Sequence, residues 1–395
     1  MTALEEEAEV AQEPPRLSKA AKAAAFDYLC RALSLRAAPS PTEAPDWVAL
    51  VERANRERVV TNLHVAFRDR GWPVSAPDDL KEYLALVYEA NAEQNRGIRR
   101  QALELAAILR AAGVAFVFLK GANWLLEAGE ERIGERWLSD IDLAIAPADW
   151  QKALAATEAA GFKPAADPAI YERHFHYVPL ARSGDQVTIE LHQHLGWQRY
   201  LLTVDEVIAA ARRDPATQNA PRCGIAHRFI FGSLHAQLQN MEYAAGTFSL
   251  RDLCDIQHLM AAHGAELDWQ SIAAFGHERG IAAYLAASLY LCRRLLGTDI
   301  PAPFAGDGAA ERHATRCLMQ HRGNLRPRLT SYAVRLASLL DSRRLAYEMN
   351  CERAPWYVRQ PKVALGRLES VWRRVVHGRR TPDSPFDPEG TPREP

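Results

Sequence analysis

The sequence lacks three features that would assign the chain to a class at once. Its six cysteines include no C-x-x-C pair, which argues against a zinc knot or a disulfide framework, so we expect reduced, packed thiols. No stretch approaches about 18 consecutive apolar residues. The acidic N-terminus also has no apolar signal-peptide segment, so we predict a cytoplasmic chain without a membrane span.

Charge of one sign is not in excess either. The 48 basic and 49 acidic residues give a net charge of −1, so no bulk field attracts nucleic acid or an anionic membrane. At 395 residues the chain exceeds one typical domain. We divide it into an acidic disordered tail, an N-terminal helical region, an α/β core, a C-terminal helical domain and a second disordered tail: 1–15, 16–113, 114–196, 197–380 and 381–395.

Helical periodicity surrounds the proposed core on both sides. Before it, apolar residues at helical spacing predict amphipathic helices over 17–35, 45–71 and 79–113, the last with a break at Gly97. After it, we predict helices over 205–214, 227–243, 248–264, 268–280, 281–297 and 324–350. A basic segment follows over 353–380, which we interpret as a solvated face because no aromatic stacking platform accompanies it.

The period changes between these two regions. Residues 114–120 are short, β-branched and aromatic and predict a buried strand, followed by a helix over 122–130, a strand over 137–145 and a helix over 148–162. Two further strands on either side of the turn at 183–185 predict a hairpin. The fold class is therefore α+β: a small mixed sheet with N-terminal helices and a C-terminal all-α lobe.

Three acidic residues are the candidate catalytic groups. Asp140 and Asp142 lie two apart in a strand, so their side chains share one face. Glu190 sits on the corresponding face of a later strand, and if the two strands are neighbours three carboxylates converge. Such a cluster suits divalent metal ions that act on a phosphoryl group, with Mg²⁺ the natural choice and Mn²⁺ an alternative. The plain alternative for the aspartate pair is a solvated acidic edge strand.

Two histidines follow Glu190 on the same strand face. His192 and His194 beside a carboxylate form a possible zinc site, and hence a zinc hydrolase, but one H-x-H is a weak signal. Packing or positioning roles remain open for both.

A lysine and a glycine end the first predicted strand. At Lys120-Gly121 the backbone N–H groups of a helix N-terminus can approach a phosphate, and the lysine adds a point charge. The alternative is a turn glycine with a solvated lysine. Arg136 can contact a triphosphate or pair with a carboxylate.

These motifs together resemble the nucleotidyltransferases of the DNA polymerase beta superfamily, and most closely the bacterial uncharacterised nucleotidyltransferase family. The family's L-K-G, R-x-x-S-D-I-D-L and E-L-H-W motifs appear here as 119–121, 136–143 and 190–193, with Gln193 in place of the tryptophan. A helix containing His235 ahead of an R-D-x-x-D segment at 251–255 is also similar. Where the superfamily has Gly-Ser or Gly-Gly, this chain has Gly121-Ala122.

The resemblance implies transfer of a nucleoside monophosphate from a nucleoside triphosphate, ATP being favoured, to a hydroxyl acceptor with release of pyrophosphate. A small molecule, peptide or protein is the favoured acceptor, rather than nucleic acid or membrane. The resemblance also implies that Asp140, Asp142 and Glu190 are catalytic and bind the metal. Nucleotide-binding residues would be Lys120, Gly121, Arg136 and Ser139; acceptor or positioning residues would be His192, His194 and Arg251.

Two residues of the helical lobe have competing interpretations. Arg251 lies four residues before Asp255, and we favour an ion pair between them over a contact with the catalytic core. His235 on an apolar helix face is favoured as a hydrogen-bonded core residue. The rival to an enzyme is a nucleotide-binding or interaction module with little activity; an intact acidic triad favours the enzyme.

Overall fold

A computed structural model describes residues 17–36, 44–171, 175–196, 201–322, 360–362 and 364–365. The predicted tails, the helical stretch at 324–350 and most of the basic segment at 353–380 lie outside these residues. Among the described residues, no helix is both long enough and apolar enough to cross a membrane.

A mixed five-stranded sheet forms the centre of the core. Its spatial order is β1-β2-β5-β4-β3, with β2 and β5 parallel and the other neighbours antiparallel. The strands are β1 Phe116–Phe118, β2 Asp140–Ile145, β3 Lys163–Pro164, β4 Leu180–Ala181 and β5 Thr188–His192. The α+β prediction is confirmed, and the predicted hairpin is β4 and β5. The two-residue β3 was not predicted because Lys163 and Pro164 are both exposed and carry no apolar pattern.

The N-terminal helices are α1 Lys19–Leu33, α2 Trp47–Arg56, α3 Val60–Arg70 and α4 Asp78–Ala111. The single helix predicted over 45–71 is wrong: the chain breaks between α2 and α3, where Arg58 adopts a left-handed φ of 57°. The break predicted at Gly97 is also wrong, since α4 runs through it. A Cβ at Gly97 would lie 2.5 Å from Cγ of Gln186, so the glycine instead lets the β4–β5 turn pack against α4.

Two helices accompany the sheet and seven form the C-terminal lobe within the described residues. Those of the core are α5 Lys120–Glu127 and α6 Trp150–Ala159. Those of the lobe are α7 Val204–Ala209, α8 Ile225–Leu234, α9 Glu242–Ala245, α10 Leu250–His263, α11 Trp269–Arg279, α12 Ala282–Leu296 and α13 Gly308–His321. The predicted helix over 227–243 is interrupted, because residues 235–239 form a π-helical turn after α8.

Two hydrophobic cores hold these elements together. One lies between the sheet, α4, α5 and α6, with Phe118, Leu125 and Ile141 fully buried in it. The other joins α1, α2 and α3 to the C-terminal lobe through side chains such as Leu29, Leu63 and Leu285. The first three helices thus pack with the lobe. The division into domains that we made from the sequence remains a prediction.

Two glycines should respond oppositely to alanine. A Cβ at Gly134 would lie 2.6 Å from the carbonyl oxygen of Tyr88, so the backbone must shift and we expect Gly134→Ala to destabilise the fold by about 1–3 kcal/mol. A Cβ at Gly232, inside α8, meets nothing within 4 Å. Gly232→Ala should therefore stabilise by about 0.5–1 kcal/mol. Urea unfolding of both variants measures the difference, and equal midpoints would contradict it.

Glu242 should make stability depend on pH. Burial, and then repulsion from Asp252, raise the pKa of Glu242 to about 8 from an ordinary 4.5. The folded chain therefore keeps this proton between pH 4.5 and 8 while the unfolded chain loses it, so the residue's contribution to stability falls as pH rises through that range. We expect Glu242→Gln to be more stable than wild type at pH 8.5, by on the order of 2–4 kcal/mol, and nearly equal at pH 4.5.

Urea unfolding at the two pH values measures this effect. Glu278→Gln, at a side chain that is 75% exposed, is the control and should leave the pH profile unchanged. If Glu242→Gln kept the wild-type profile, the buried acid would not be its source.

Candidate functional site

The parallel pairing of β2 with β5 places the predicted acids on neighbouring strands. Asp142 lies opposite Glu190 in the register, and Asp140 lies opposite Thr188. Because side chains alternate along a strand, all three acids share one face of the sheet. Ile141, Leu143 and Leu191 fill the other face and are fully buried. The aliphatic alternation that fixes β2 in the core therefore also fixes the direction of the acidic side chains.

Asp142 is the most enclosed of the three acids, with only 2% of its surface exposed. Its Oδ1 accepts a hydrogen bond from Nζ of Lys120 at 2.7 Å and contacts Nε2 of His192 at 2.7 Å. Burial opposes the charged form, but the lysine charge and then the histidine contact outweigh it and lower the pKa of Asp142 far below its usual range. This carboxylate is held as an anion by its two partners.

Glu190 lies at the edge of the same cluster. Its Oε2 is 3.8 Å from Nε2 of His192 and 3.7 Å from Nε2 of His176. Burial, and then repulsion from Asp142, raise the pKa of Glu190 to about 8. Burial followed by the same repulsion raises the pKa of Asp140. Three ionised carboxylates would exceed the single positive charge of Lys120, and the raised pKa values of Glu190 and Asp140 reflect this repulsion together with burial.

One group among the described residues has the composition of a metal site: Asp142, Glu190 and His192, whose ligand atoms lie within 4.8 Å of one another. Two carboxylates and an imidazole fit a divalent cation. Asp140 shares their face but stands outside this group, so the cluster differs from the predicted convergence of three carboxylates. His194, two residues beyond the end of β5, is also outside this group, so the group does not contain the predicted pair of His192 and His194.

Lys120 and Gly121 are the first two residues of α5, which begins just after β1. Lys120 has a left-handed φ of 43°, a costly conformation for a non-glycine residue that persists only where its surroundings fix it. Two bonds do so here: the Leu119 N–H donates to the Asp142 carbonyl at 2.9 Å, and the Lys120 ammonium donates to the Asp142 carboxylate. The predicted lysine therefore lies inside the acidic cluster and is not a solvated side chain.

Gly121 has a packing role in the structure, and its predicted approach to a phosphate stays a prediction. A Cβ at this position would lie 2.1 Å from Nη1 of Arg136, so the glycine makes room for that guanidinium beside the start of α5. Arg136 in turn makes a bidentate ion pair with Asp255 of α10, at 2.8 and 2.9 Å. Of the two predictions for Arg136, the structure shows the carboxylate pair.

The ion pair between Arg136 and Asp255 shows that the predicted pair of Arg251 with Asp255 is wrong. Arg251 does not pair with Asp255; it pairs with its neighbour Asp252 at 3.1 Å, and Asp255 contacts the core through Arg136. The prediction failed because helical spacing reports neighbours only on the same helix, whereas Asp255 finds its partner on another element.

Ser139, a predicted nucleotide-binding residue, lies just before β2 and is exposed.

A cavity of about 1030 Å³ lies between the core and the helical lobe, lined mainly by α5, α8, α10 and the segments before α8. Lys120, Arg136, Arg251 and Asp252 line it. So does His235, which is partly exposed at the start of the π-helical turn and is therefore not the expected core residue. Burial, and then the charge of Lys120, lower the pKa of His235 to about 3, so it is neutral.

Comparison with known proteins adds one finding. A family model described as an uncharacterised nucleotidyltransferase matches residues 43–297. The chain belongs to this family. No curated protein and no solved structure matches the chain. The match covers the sheet, the acidic cluster and the lobe as far as Gly297, and membership supports a nucleotidyl transfer role in general terms.

The motifs that carried the resemblance to the uncharacterised nucleotidyltransferase family meet at one place. Lys120 of the first motif and His192 of the last contact the same oxygen of Asp142, which belongs to the second. Arg136 and Asp255 join the second motif to the helical R-D-x-x-D segment. The sequence interpretation missed His176, which forms a β-bridge with His192 and approaches Glu190, and it missed the arginines of the cavity. The H-x-H spacing at 174–176 was the available signal for His176.

Proposed function

We propose that the protein is a metal-dependent nucleotidyltransferase that moves a nucleoside monophosphate from a nucleoside triphosphate, ATP first among them, to a hydroxyl of a small molecule, peptide or protein. The observation that carries the proposal is the register of Asp142 against Glu190 beside Lys120, in a chain of this family. We assign the metal ion as Mg²⁺, with Mn²⁺ as the substitute. Asp142 and Glu190 would hold it, with Asp140 on the same face as a further carboxylate.

A divalent ion in this position supplies charge that neutralises phosphate oxygens as the leaving group departs. The chain's own groups orient the reactants around it. Lys120 places a positive charge at the first residue of α5, beside Asp142, and we assign it to bind the phosphates. His192 fixes the orientation of Asp142. Arg251, whose charge acts on Asp140, faces the cavity and is assigned to the nucleotide or the acceptor.

The reaction is an in-line displacement at the α-phosphorus. A bond forms between the acceptor oxygen and that phosphorus, and the bond to the bridging oxygen breaks, so pyrophosphate leaves with the electron pair. We assign Glu190 to accept the hydroxyl proton and pass it to solvent, because it is partly exposed and its pKa, raised to about 8, lies close to neutral pH, as suits a general base.

The test uses each of the four nucleoside triphosphates, labelled at either the α- or the γ-phosphate, with Mg²⁺ and an acceptor mixture from a small-molecule extract. We expect the γ-label to leave as pyrophosphate and the α-label to join an acceptor, with both events stopped by EDTA. Release of the γ-label as inorganic phosphate would indicate a phosphatase. Nucleotide binding without release of either label would favour the binding-module alternative.

A further inference from the structure

The lining of the cavity has more basic than acidic side chains. Eight lysine and arginine side chains line it, against six aspartates and glutamates. Arg222 and Arg228 stand out because they share one carboxylate, Glu127 at the end of α5. Nη1 of Arg222 is 2.9 Å from Oε1 of Glu127, and Nη1 of Arg228 is 2.5 Å from Oε2.

The backbone holds Arg222 in place independently of this ion pair. The Phe118 N–H donates to the Pro221 carbonyl at 2.9 Å, and Arg222 forms a parallel bridge with Phe118. The next residue is tied to α5, since the Cys223 N–H donates to Oδ1 of Asn123 at 2.8 Å. Arg222 is therefore fixed where β1 ends and α5 begins, and its side chain runs along α5 toward Glu127.

The hydrogen-bonding capacity of Arg222 is not used up. The side chain is 7% exposed, yet its Nε has no hydrogen-bond acceptor among the described residues. Its other charged contact, Asp214, is 3.6 Å away on a side chain that is 46% exposed. Nε2 of His263 also lies 3.7 Å from Oε2 of Glu127. A buried guanidinium with a spare donor costs free energy unless an acceptor reaches it.

We propose that this cavity binds the acceptor substrate, and that the acceptor carries a carboxylate or phosphate group held by Arg222 and Arg228. Seven residues of helix separate Lys120 from Glu127, so the anion site lies roughly 10 Å from the lysine along α5. An acceptor anchored there extends its hydroxyl toward Lys120 and the acidic cluster. This assignment names the acceptor class of the proposed nucleotidyl transfer and rests on it.

Binding of inorganic phosphate and of acetate to the full chain, measured by calorimetry without divalent metal, tests the anion site directly. Arg228→Gln removes one donor and should weaken binding about tenfold. Glu127→Gln removes the competing negative charge and should tighten binding about tenfold. Arg182→Gln is the matched control, since Arg182 also bridges two carboxylates but lies on the hairpin outside the cavity, and it should change nothing.

The stronger of the two anions identifies the class as phosphate or carboxylate. A second titration, with Mg²⁺ and a non-hydrolysable nucleotide already bound, separates acceptor from nucleotide. We expect the anion to bind as before, whereas displacement would mean that the arginines hold the triphosphate and would overturn the assignment. Unchanged affinity in both Arg228→Gln and Glu127→Gln would overturn it too. Asp142→Asn should leave anion binding intact, so a failure of the proposed transfer is distinguishable from a failure of the anion site.

Discussion

Replacing Asp142 by asparagine should lower the rate of pyrophosphate release by about 10³-fold or more. Asparagine keeps the shape of the side chain but removes the charge that holds both the cation and Lys120. Lys120 and His192 both contact Oδ1, so the amide oxygen can keep that position, but the amide nitrogen replaces the other carboxylate oxygen and removes a ligand for the cation. The loss should appear in kcat, because the charge acts on the reacting phosphate and not on the nucleobase.

Asp149→Asn is the matched control for this variant. Asp149 also pairs with a lysine, Lys152, at 2.8 Å, and it follows the same strand, but it lies away from the acidic cluster. It should retain activity within about twofold, because the pair lies away from the acidic cluster and its lysine is 60% exposed. A circular dichroism spectrum of Asp142→Asn checks that this variant is folded. If the folded Asp142→Asn variant released pyrophosphate at the same rate as wild type, the acidic cluster would not be the catalytic site.

Asp255→Ala should be the most destabilising change on the helical side of the cavity. It leaves the guanidinium of Arg136, whose side chain is 10% exposed, without its bidentate partner. Losing one partner of a buried pair costs about 3–5 kcal/mol, and because Asp255 is itself 36% exposed we expect about 2–3 kcal/mol. The pair also joins the core to α10, so nucleotidyl transfer should decline with stability.

A double-mutant cycle measures the pair itself. Arg136→Met combined with Asp255→Ala removes the stranded charge, and we expect the double variant to recover about 1–2 kcal/mol relative to Asp255→Ala alone. Asp299→Ala, in an exposed pair with Arg36, should cost less than about 1 kcal/mol. Strictly additive effects of the Arg136 and Asp255 changes would show that the two residues are not coupled.

The geometry of the acids was predictable because it depends on a local rule. Alternation of acids and aliphatics along β2 and β5 sets which side chains share a face, and burial of Ile141 and Leu191 leaves no other orientation. The pairing of these strands in parallel was not readable from either strand alone. The resemblance supplied the order of the motifs, and the register then placed Glu190 beside Asp142.

What could not be predicted depends on contacts between distant parts of the chain. The partner of Asp255 is 119 residues away, so helical spacing pointed to the wrong arginine. The helix breaks at Arg58, which adopts a left-handed backbone conformation. Glycine is the usual sequence signal for that conformation, and there is no glycine at this break. The arginines around Glu127 lie in a segment without a motif, and long-range contacts such as the bridge of Arg222 to Phe118 bring them to the cavity.

The order of the strands along the chain also determines when the acidic cluster can assemble. Fifty residues separate Asp142 from His192, and the intervening hairpin strand β4 must pair before β5 is fully enclosed. Pairing of strands so far apart in the chain is slow compared with forming a local helix such as α4. During synthesis on the ribosome the site can therefore form only after β5 has emerged, well after α4 has had time to fold.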